Sequence, residues 1–460
     1  MRSAAAVKTK KVGMNLTEGS ILKGLLAFAV PIVLTNVIQQ LYSLVDLMVI
    51  GQFVGSAGTV GVSSGGEIAD LVTPVATAFS NAGQIYIAQL FGAGMEEKIK
   101  RGVGTLISVM VLMSLGMMAV TIIFCAPILH LLNCPQEAMA QAESYMIITA
   151  LGMPFIFGYN AVCGALRGMG ESRKPLTFIV IAAIINVVLD VVLVAVFHMD
   201  AAGTAIATVL AQVGSFAASF VYMYQHKEQF DFELTRGYFG VDVEAVKIIL
   251  GQGLPQAVRS LFVRFSLLWV NSNINSYGLT ASATNSVGNK IQKFLDVFTA
   301  GISQASGAMV GQNLGARKQE RAAKTVWCTF FCTLCIASAL CLLSLTAPEE
   351  IFGIFTKDPE VLELGVTFMH ILIFHFIWSA VTSSFQSMVI GSGYAAMNFM
   401  VGILDGVVCK IGLSVLFASV LEMGVLGYFW AIAFSRAIPG AICFLFFISG
   451  KWKKRKLLSD

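Results

Sequence analysis

Twelve Asp, Glu, Lys and Arg side chains lie well inside long apolar runs of this sequence, away from the run ends. If such a run crosses a bilayer, an unpaired charge near its centre costs at least ~2.5–3.5 kcal/mol. The first half holds Asp46, Glu67, Asp70 and Asp190 and no base, and the second holds Arg259, Arg264, Lys290, Lys293, Lys410 and Arg436, with Asp296 and Asp405. One half is acidic and the other basic. Asn186 and Asp190 are four apart, so a helix sets amide and carboxylate on one face. An unpaired carboxyl in a low-dielectric site can load and release a proton near neutral pH. Asp46 and Asp190 therefore suit proton-coupled work, and a carboxyl that only hydrogen-bonds a neighbouring helix is the plainer alternative. Glu67 and Asp70, three apart, share a face, and a displacement of 223 residues carries them onto Lys290 and Lys293. That pattern reads as a charged gate, or else as charges paired locally, Lys293 with Asp296 for example. His370 and His375 are five apart and share no face, which argues against a metal or relay role. Cys328, Cys332 and Cys335 follow a helical face and read as packing residues rather than metal ligands.

The scaffold for these residues follows from composition. The chain has 460 residues, 57% hydrophobic and 12% charged, with a mean hydropathy of +0.79. A soluble chain carries about 25% charge, so this one is polytopic in a membrane. Apolar runs fall at 24–50, 58–90, 102–126, 142–165, 176–197 and 202–224, then at 248–273, 279–312, 325–346, 361–389, 399–420 and 424–448. Twelve spans put both termini on one side. Lys98, Lys100, Arg101, Arg173, Lys174, Arg317, Lys318, Arg321, Lys324 and the Lys451–Lys456 tail then share the side of the N-terminus, against Lys357 alone outside. The positive-inside rule makes that side cytoplasmic. The net charge of +4 thus reports orientation and argues against nucleic acid. Met1 to Ser20 has basic residues but no apolar core before a cleavage site, so it does not read as a signal peptide.

The polar stretch Gln225–Lys247 separates two sets of six spans, and the halves superpose in sequence. At a displacement of 223, Ser80, Gln89, Gly92, Ala93 and Glu97 fall on Ser303, Gln312, Gly315, Ala316 and Glu320, and Gly168 and Gly170 on Gly391 and Gly393. At 224, Pro31, Met199 and Gly203 fall on Pro255, Met423 and Gly427. The expected fold is an all-α integral membrane protein of twelve transmembrane helices. It forms two six-helix lobes related by a pseudo-twofold axis along the membrane normal, because six is even. The expected organisation is a cytoplasmic N-terminal segment 1–23, an N-lobe 24–224, a cytoplasmic linker 225–247, a C-lobe 248–448 and a basic cytoplasmic tail 449–460. A cleft between two such lobes suits alternating access better than a channel.

Leu25–Pro31 leading into span 1, Val45-Asp46, Gln89-Leu-Phe-Gly92-Ala93-Gly94 and Leu166-Arg167-Gly168-Met-Gly170 recur in order with Gly253-Leu-Pro255 and Gly311-Gln-Asn-Leu-Gly315-Ala316. In this the chain resembles the multidrug and toxic compound extrusion (MATE) family over about residues 15–450, and is closer to its DinF-like branch. The resemblance implies a monomeric antiporter of a bacterial-type plasma (inner) membrane with both termini cytoplasmic. It would expel amphiphilic, mostly cationic small molecules against protons or, second, sodium ions. No cofactor and no enzymatic activity are implied. The family's first-lobe cation site maps onto Asp46, Asn186, Asp190 and Thr208, with Thr204 as an alternative and Asn160 as a further match. Sodium-coupled NorM-like members carry a carboxylate where this chain has Arg264, and their span-10 aspartate falls near Ser379. Glu67, Asp70, Arg259, Arg264, Lys290, Lys293 and Asp296 remain candidates for the cleft and gate. The alternative is a flippase or exporter of an anionic or lipid-linked precursor using the basic C-lobe face. A membrane enzyme would need a convergent motif such as His-Glu-x-x-His, and none is present.

Overall fold

The structure, a computed structural model, describes residues 13–227 and 239–459, leaving out the side chains of 43, 44, 47, 55–58 and 70. The long polar stretch the sequence places between the lobes lies partly outside the described residues. Regular structure among the described residues is helical throughout. The first half runs α1 (Ile21–Phe53), α2 (Gly55–Ala93), α3 (Glu96–Ile123), short α4 (Cys125–Leu131), α5 (Gln136–Gly168), α6 (Arg173–Asp190) and α7 (Asp200–Gln225). The second runs α8 (Val243–Asn275), α9 (Leu279–Gly315), α10 (Gln319–Thr346), short α11 (Pro348–Gly353), α12 (Pro359–Gly391), α13 (Ala395–Ile403), α14 (Lys410–Ser414), α15 (Val425–Phe434) and α16 (Ala437–Ile448). A π-helical segment, Val191–Val196, extends α6, while Leu404–Cys409 and Val415–Val420 flank α14.

Among the described residues nine helices are long and apolar enough to cross a membrane. The three remaining long helices are α2, α8 and α9, the ones that carry Glu67 and Asp70, Arg259 and Arg264, and Lys290, Lys293 and Asp296. Charge contributes to their low hydropathy, since these three carry seven of the twelve intramembrane charges named above. Together the twelve long stretches give the all-α, two-lobe, twelve-span fold expected from sequence. The short helices α4 and α11 are additions that hydropathy alone did not reveal.

Helix starts follow local chemistry. Asp358 caps α12 by accepting from the Glu360 N–H at 3.0 Å, and Pro359 takes the first position, where no backbone donor is needed. Asp242 caps α8 in the same way, accepting from Glu244 N–H at 2.8 Å, while Glu171, one residue before the Ser172 cap of α6, accepts from Arg173 N–H at 2.8 Å.

The duplication persists in three dimensions. α10, α11 and α12 each begin 223 residues after α3, α4 and α5, at Gln319, Pro348 and Pro359 against Glu96, Cys125 and Gln136. The left-handed position Gly94 (φ 72°) recurs as Arg317 (φ 58°), so the turn is rebuilt even where glycine is lost.

The described residues form two compact units. One holds residues 13–15 and Ile38–Ile249, and the other holds Leu16–Val37 and residues 250–459. α1 is therefore shared, its first half belonging to the second unit and its last turns to the first. In the second unit Gly301 admits Val33, whose Cγ2 would lie 2.7 Å from an added Cβ. In the first unit α5 packs tightly along α2, where Gly164 and Gly168 bring the backbones together. A Cβ would stand 2.6 Å from the Ser80 carbonyl oxygen at Gly164 and 2.7 Å from that of Gln84 at Gly168. Gly391 repeats this against the Gly307 carbonyl oxygen, again at 2.7 Å. Small residues let membrane helices approach where apolar burial alone gives no drive.

Candidate functional site

Asp46 sits in the part of α1 that belongs to the first unit, with Asn186 and Asp190 on the last turn of α6. Asn186 and Asp190 are 1% and 0% exposed, and Asp46 faces both. The α-helix turns π-helical immediately after Asp190, a distortion frequent at functional sites. Val49, Ile50, Val54, Val62, Val194 and Ala201 form an apolar cluster on one side, with Val45 and Tyr145 against it. An apolar wall thus backs the polar groups.

Several polar atoms here and on the neighbouring α7 have no hydrogen-bond partner in the protein. Oδ1 of Asp46, both carboxylate oxygens of Asp190, both amide atoms of Asn186 and the hydroxyls of Thr204 and Thr208 are buried without a hydrogen-bond partner. Thr204 and Thr208 lie one turn apart on α7, which packs along α6 and its π-helical extension. Most buried polar atoms in proteins are paired, and each orphan has a cost of about 1–3 kcal/mol. Two facing carboxylates also repel unless a proton or cation joins them. The donor set of carboxylate, amide carbonyl and hydroxyl oxygens is that of a hard cation or a shared proton. Asn160, also named from sequence, donates from Nδ2 to the Ile156 carbonyl at 2.9 Å, and its backbone carbonyl accepts from Ser80 Oγ at 2.6 Å.

The second unit contains a different network. Arg436, at the break between α15 and α16, donates from Nη1 to Asp296 Oδ1 at 2.8 Å and from Nη2 to Oδ2 at 3.3 Å. Ser379 Oγ joins at 3.3 Å from the same carboxylate. His375, 1% exposed, places Nε2 3.7 Å from Asp296 Oδ1. Arg259 Nη2 stands 4.0 Å from Asp405 Oδ2, and Lys410 is buried close by. Asp296 thus takes Arg436, rather than Lys293 one turn before it. Lys293 is exposed, as is Lys290, whose Nζ lies 5.8 Å from the centre of the Phe355 ring. Glu67 and Arg264 are half-buried, and the side chain of Asp70 lies outside the described residues.

Spacing from His370 gives no reason to place His375 in a site, and Asp405, Lys410 and Arg436 read from the sequence only as intramembrane charges. The signal was available as charge accounting, since each intramembrane base needs a counter-charge and the second half has few acids.

A duplicated six-span unit with a buried polar cluster in each half has the architecture of a secondary transporter. The MatE family model matches residues 31–192 and again 255–416, each bound displaced by 224, and the chain belongs to this family of membrane transporters. Similar curated proteins include the probable multidrug resistance protein YoeA of Bacillus subtilis, 27% identical over 80% of each chain. The probable multidrug resistance protein YpnP of the same organism is 25% identical over 97% of this chain and 99% of its own. The multidrug export protein MepA of Staphylococcus saprophyticus is 21% identical over 92% of both. Among solved structures, MATE in complex with MaD3S superposes with a TM-score of 0.87 at 20% identity, over 97% of this chain and 100% of the other. An outward-facing multidrug resistance MATE family transporter gives 0.85 at 20% identity, over 97% and 100%.

Proposed function

We propose that this transporter exports amphiphilic organic compounds, mostly cations, in exchange for protons, with the Asp46–Asn186–Asp190 cluster as the coupling site. The observation that carries the reading is the set of buried, unpartnered oxygens on Asp46 and Asp190 beside Asn186. A proton or a sodium ion would satisfy them, and release of substrate would follow from the change of charge in a dry site. The names of the relatives support the class of cargo. Alternating access by rocking of two lobes, a monomeric state, an inner-membrane location and cytoplasmic termini complete the proposal. Glu67 and Asp70, with Lys290 and Lys293, extend it as a gate, and Arg259, Arg264 and Asp296 as cleft residues.

The test is transport in proteoliposomes under separately imposed proton and sodium gradients, with a panel of cationic, zwitterionic and anionic compounds. Export of cationic dyes driven by the proton gradient, and lost in both Asp46→Asn and Asp190→Asn while the variants remain folded, is the expected result. Wild-type coupled export by Asp46→Asn would remove the site from the mechanism.

A further inference from the structure

The two units differ where the duplication makes them comparable. The π-helical segment Val191–Val196 recurs as Val415–Val420, a displacement of 224. The same displacement sets Lys410 at the position of Asn186, and Ser414 at that of Asp190. An ammonium stands where the first unit has an amide seeking a cation. Lys410 is 6% exposed and sits between two π-helical segments, Leu404–Cys409 and Val415–Val420.

The charges around it do not balance. Asp296 is engaged by Arg436 through two hydrogen bonds. Asp405 is then the acid left to face both Arg259 and Lys410. It meets Arg259 through one 4.0 Å approach, and its Oδ1 is buried without a hydrogen bond. Among the described residues Lys410 makes no salt bridge, and Asp405, Asp296 and Arg436 are the charges that act on it. Three bases therefore share two carboxylates. His375, buried with Nε2 3.7 Å from Asp296 Oδ1, adds a further polar group to the same cluster. Gly402 fixes the position of Arg259: a Cβ there would lie 2.1 Å from Arg259 Cγ and 2.2 Å from Cδ. An uncompensated buried positive charge is costly, and an anion with two or more oxygens matches both an arginine fork and an ammonium.

We propose that the second unit holds an oxyanion site formed by Lys410 and Arg259 beside Asp405, which takes a carboxylate or phosphate group. The site is separate from the coupling cluster and would let the transporter accept cargo, or a lipid headgroup, bearing negative charge. Gly402 is a positioning residue here, because it leaves room for the Arg259 stem.

The experiment measures thermal unfolding and binding on the full-length protein in nanodiscs of phosphatidylcholine. The probes are inorganic phosphate in solution in one arm and phosphatidic acid in the disc in the other. The wild type is expected to gain stability with at least one probe. A response to free phosphate assigns a water-accessible site, and a response to phosphatidic acid alone assigns a headgroup site. Lys410→Met and Arg259→Gln should each weaken binding at least tenfold, while Lys410→Arg keeps it. Lys410→Met removes the excess charge, so it should unfold at a higher temperature than wild type when no probe is present. Asp46→Asn should bind the probes as wild type does, which separates failure here from failure of the coupling reading. No response of the wild type to either probe, or equal responses in wild type, Lys410→Met and Arg259→Gln, would overturn the proposal.

Discussion

Arg436 grips Asp296 from two nitrogens, Nη1 at 2.8 Å and Nη2 at 3.3 Å from the two carboxylate oxygens, and Nη1 also reaches Ser379 Oγ at 2.5 Å. The pair ties the broken last span, α15–α16, to α9 inside the second unit. Loss of one partner of a buried pair costs ~3–5 kcal/mol because the other charge is stranded. With side chains 22% and 29% exposed, the lower end of that range applies here. Arg436→Gln should therefore lower the unfolding temperature in detergent markedly. Combining it with Asp296→Asn should recover most of the loss, since neither member of this pair is then stranded. A double variant no more stable than Arg436→Gln would show that the arginine acts through something other than Asp296.

Thr204 offers a cleaner probe of the first site than either aspartate. It is 1% exposed, and its hydroxyl has no partner. Valine keeps the shape and removes the orphan group, which should raise stability by about 1 kcal/mol without a bound ion. If Thr204 belongs to the proposed cation site, the same change also removes one of its oxygens. Thr204→Val should thus unfold at a higher temperature than wild type in choline buffer, and show a smaller rise on adding sodium ions or lowering the pH. An unchanged ion-dependent rise would place Thr204 outside the site.

The legibility of these sites differs for physical reasons. Asn186 and Asp190 could be paired from sequence because four residues is one helical turn. Asp46 could be joined to them only through resemblance, since long-range packing leaves no local trace. The twelve spans were readable from apolar runs and the repeat, even though α2, α8 and α9 fall short of the usual hydropathy. The π-helical segments were not readable: Val-Val-Leu-Val-Ala-Val looks like any apolar helix. Nor was the choice of Arg436 over Lys293 by Asp296, because helical spacing favours the near neighbour and only the fold shows the distant one. The division of α1 between the units is likewise a tertiary property, set by fits such as Val33 against Gly301.

Gly164 should resist even a single added methyl group. Its missing Cβ faces the Ser80 carbonyl oxygen at 2.6 Å, and that oxygen belongs to the backbone of α2 and cannot swing away. The same seam holds Arg167, which donates to Gln84 Oε1 at 3.1 Å and Ser80 Oγ at 3.3 Å. Overpacking of this kind costs typically about 1–3 kcal/mol. Gly164→Ala should lower the unfolding temperature and the yield of folded protein, while Gly116→Ala, where nothing lies within 4 Å, should not. Equal stability of the two variants would mean that α5 can shift away from α2 without loss.

The turns after α2 and α9 provide a test of orientation. Gly94 and Arg317 adopt the left-handed conformation, and a basic stretch follows each turn, Lys98–Arg101 in one case and Lys318–Lys324 in the other. The positive-inside rule puts both in the cytoplasm. In a background without native cysteines, Ala93→Cys should be silent to an impermeant thiol reagent on intact cells and react after permeabilisation. Reaction from outside would reverse the topology and with it the direction of coupled transport.

The proposed gate is tested by exchanging charge between the halves. Glu67 is twelve residues into α2 and Lys290 eleven into α9, so each lies about 17–18 Å along its own helix at 1.5 Å per residue. They occupy repeat-related positions with opposite sign. If they meet in one state of the cycle, Glu67→Lys places two bases together and should slow export several-fold in protein that purifies folded. Lys290→Glu alone should do the same with two acids. The double exchange restores opposite signs and should recover a substantial part of the rate. The readout is initial export velocity at matched protein density, which a purely structural role would leave uncoupled between the two positions. A double variant no faster than the slower single one would mean that the charges do not pair, and would leave the Lys290–Lys293 face to attract anionic groups on its own.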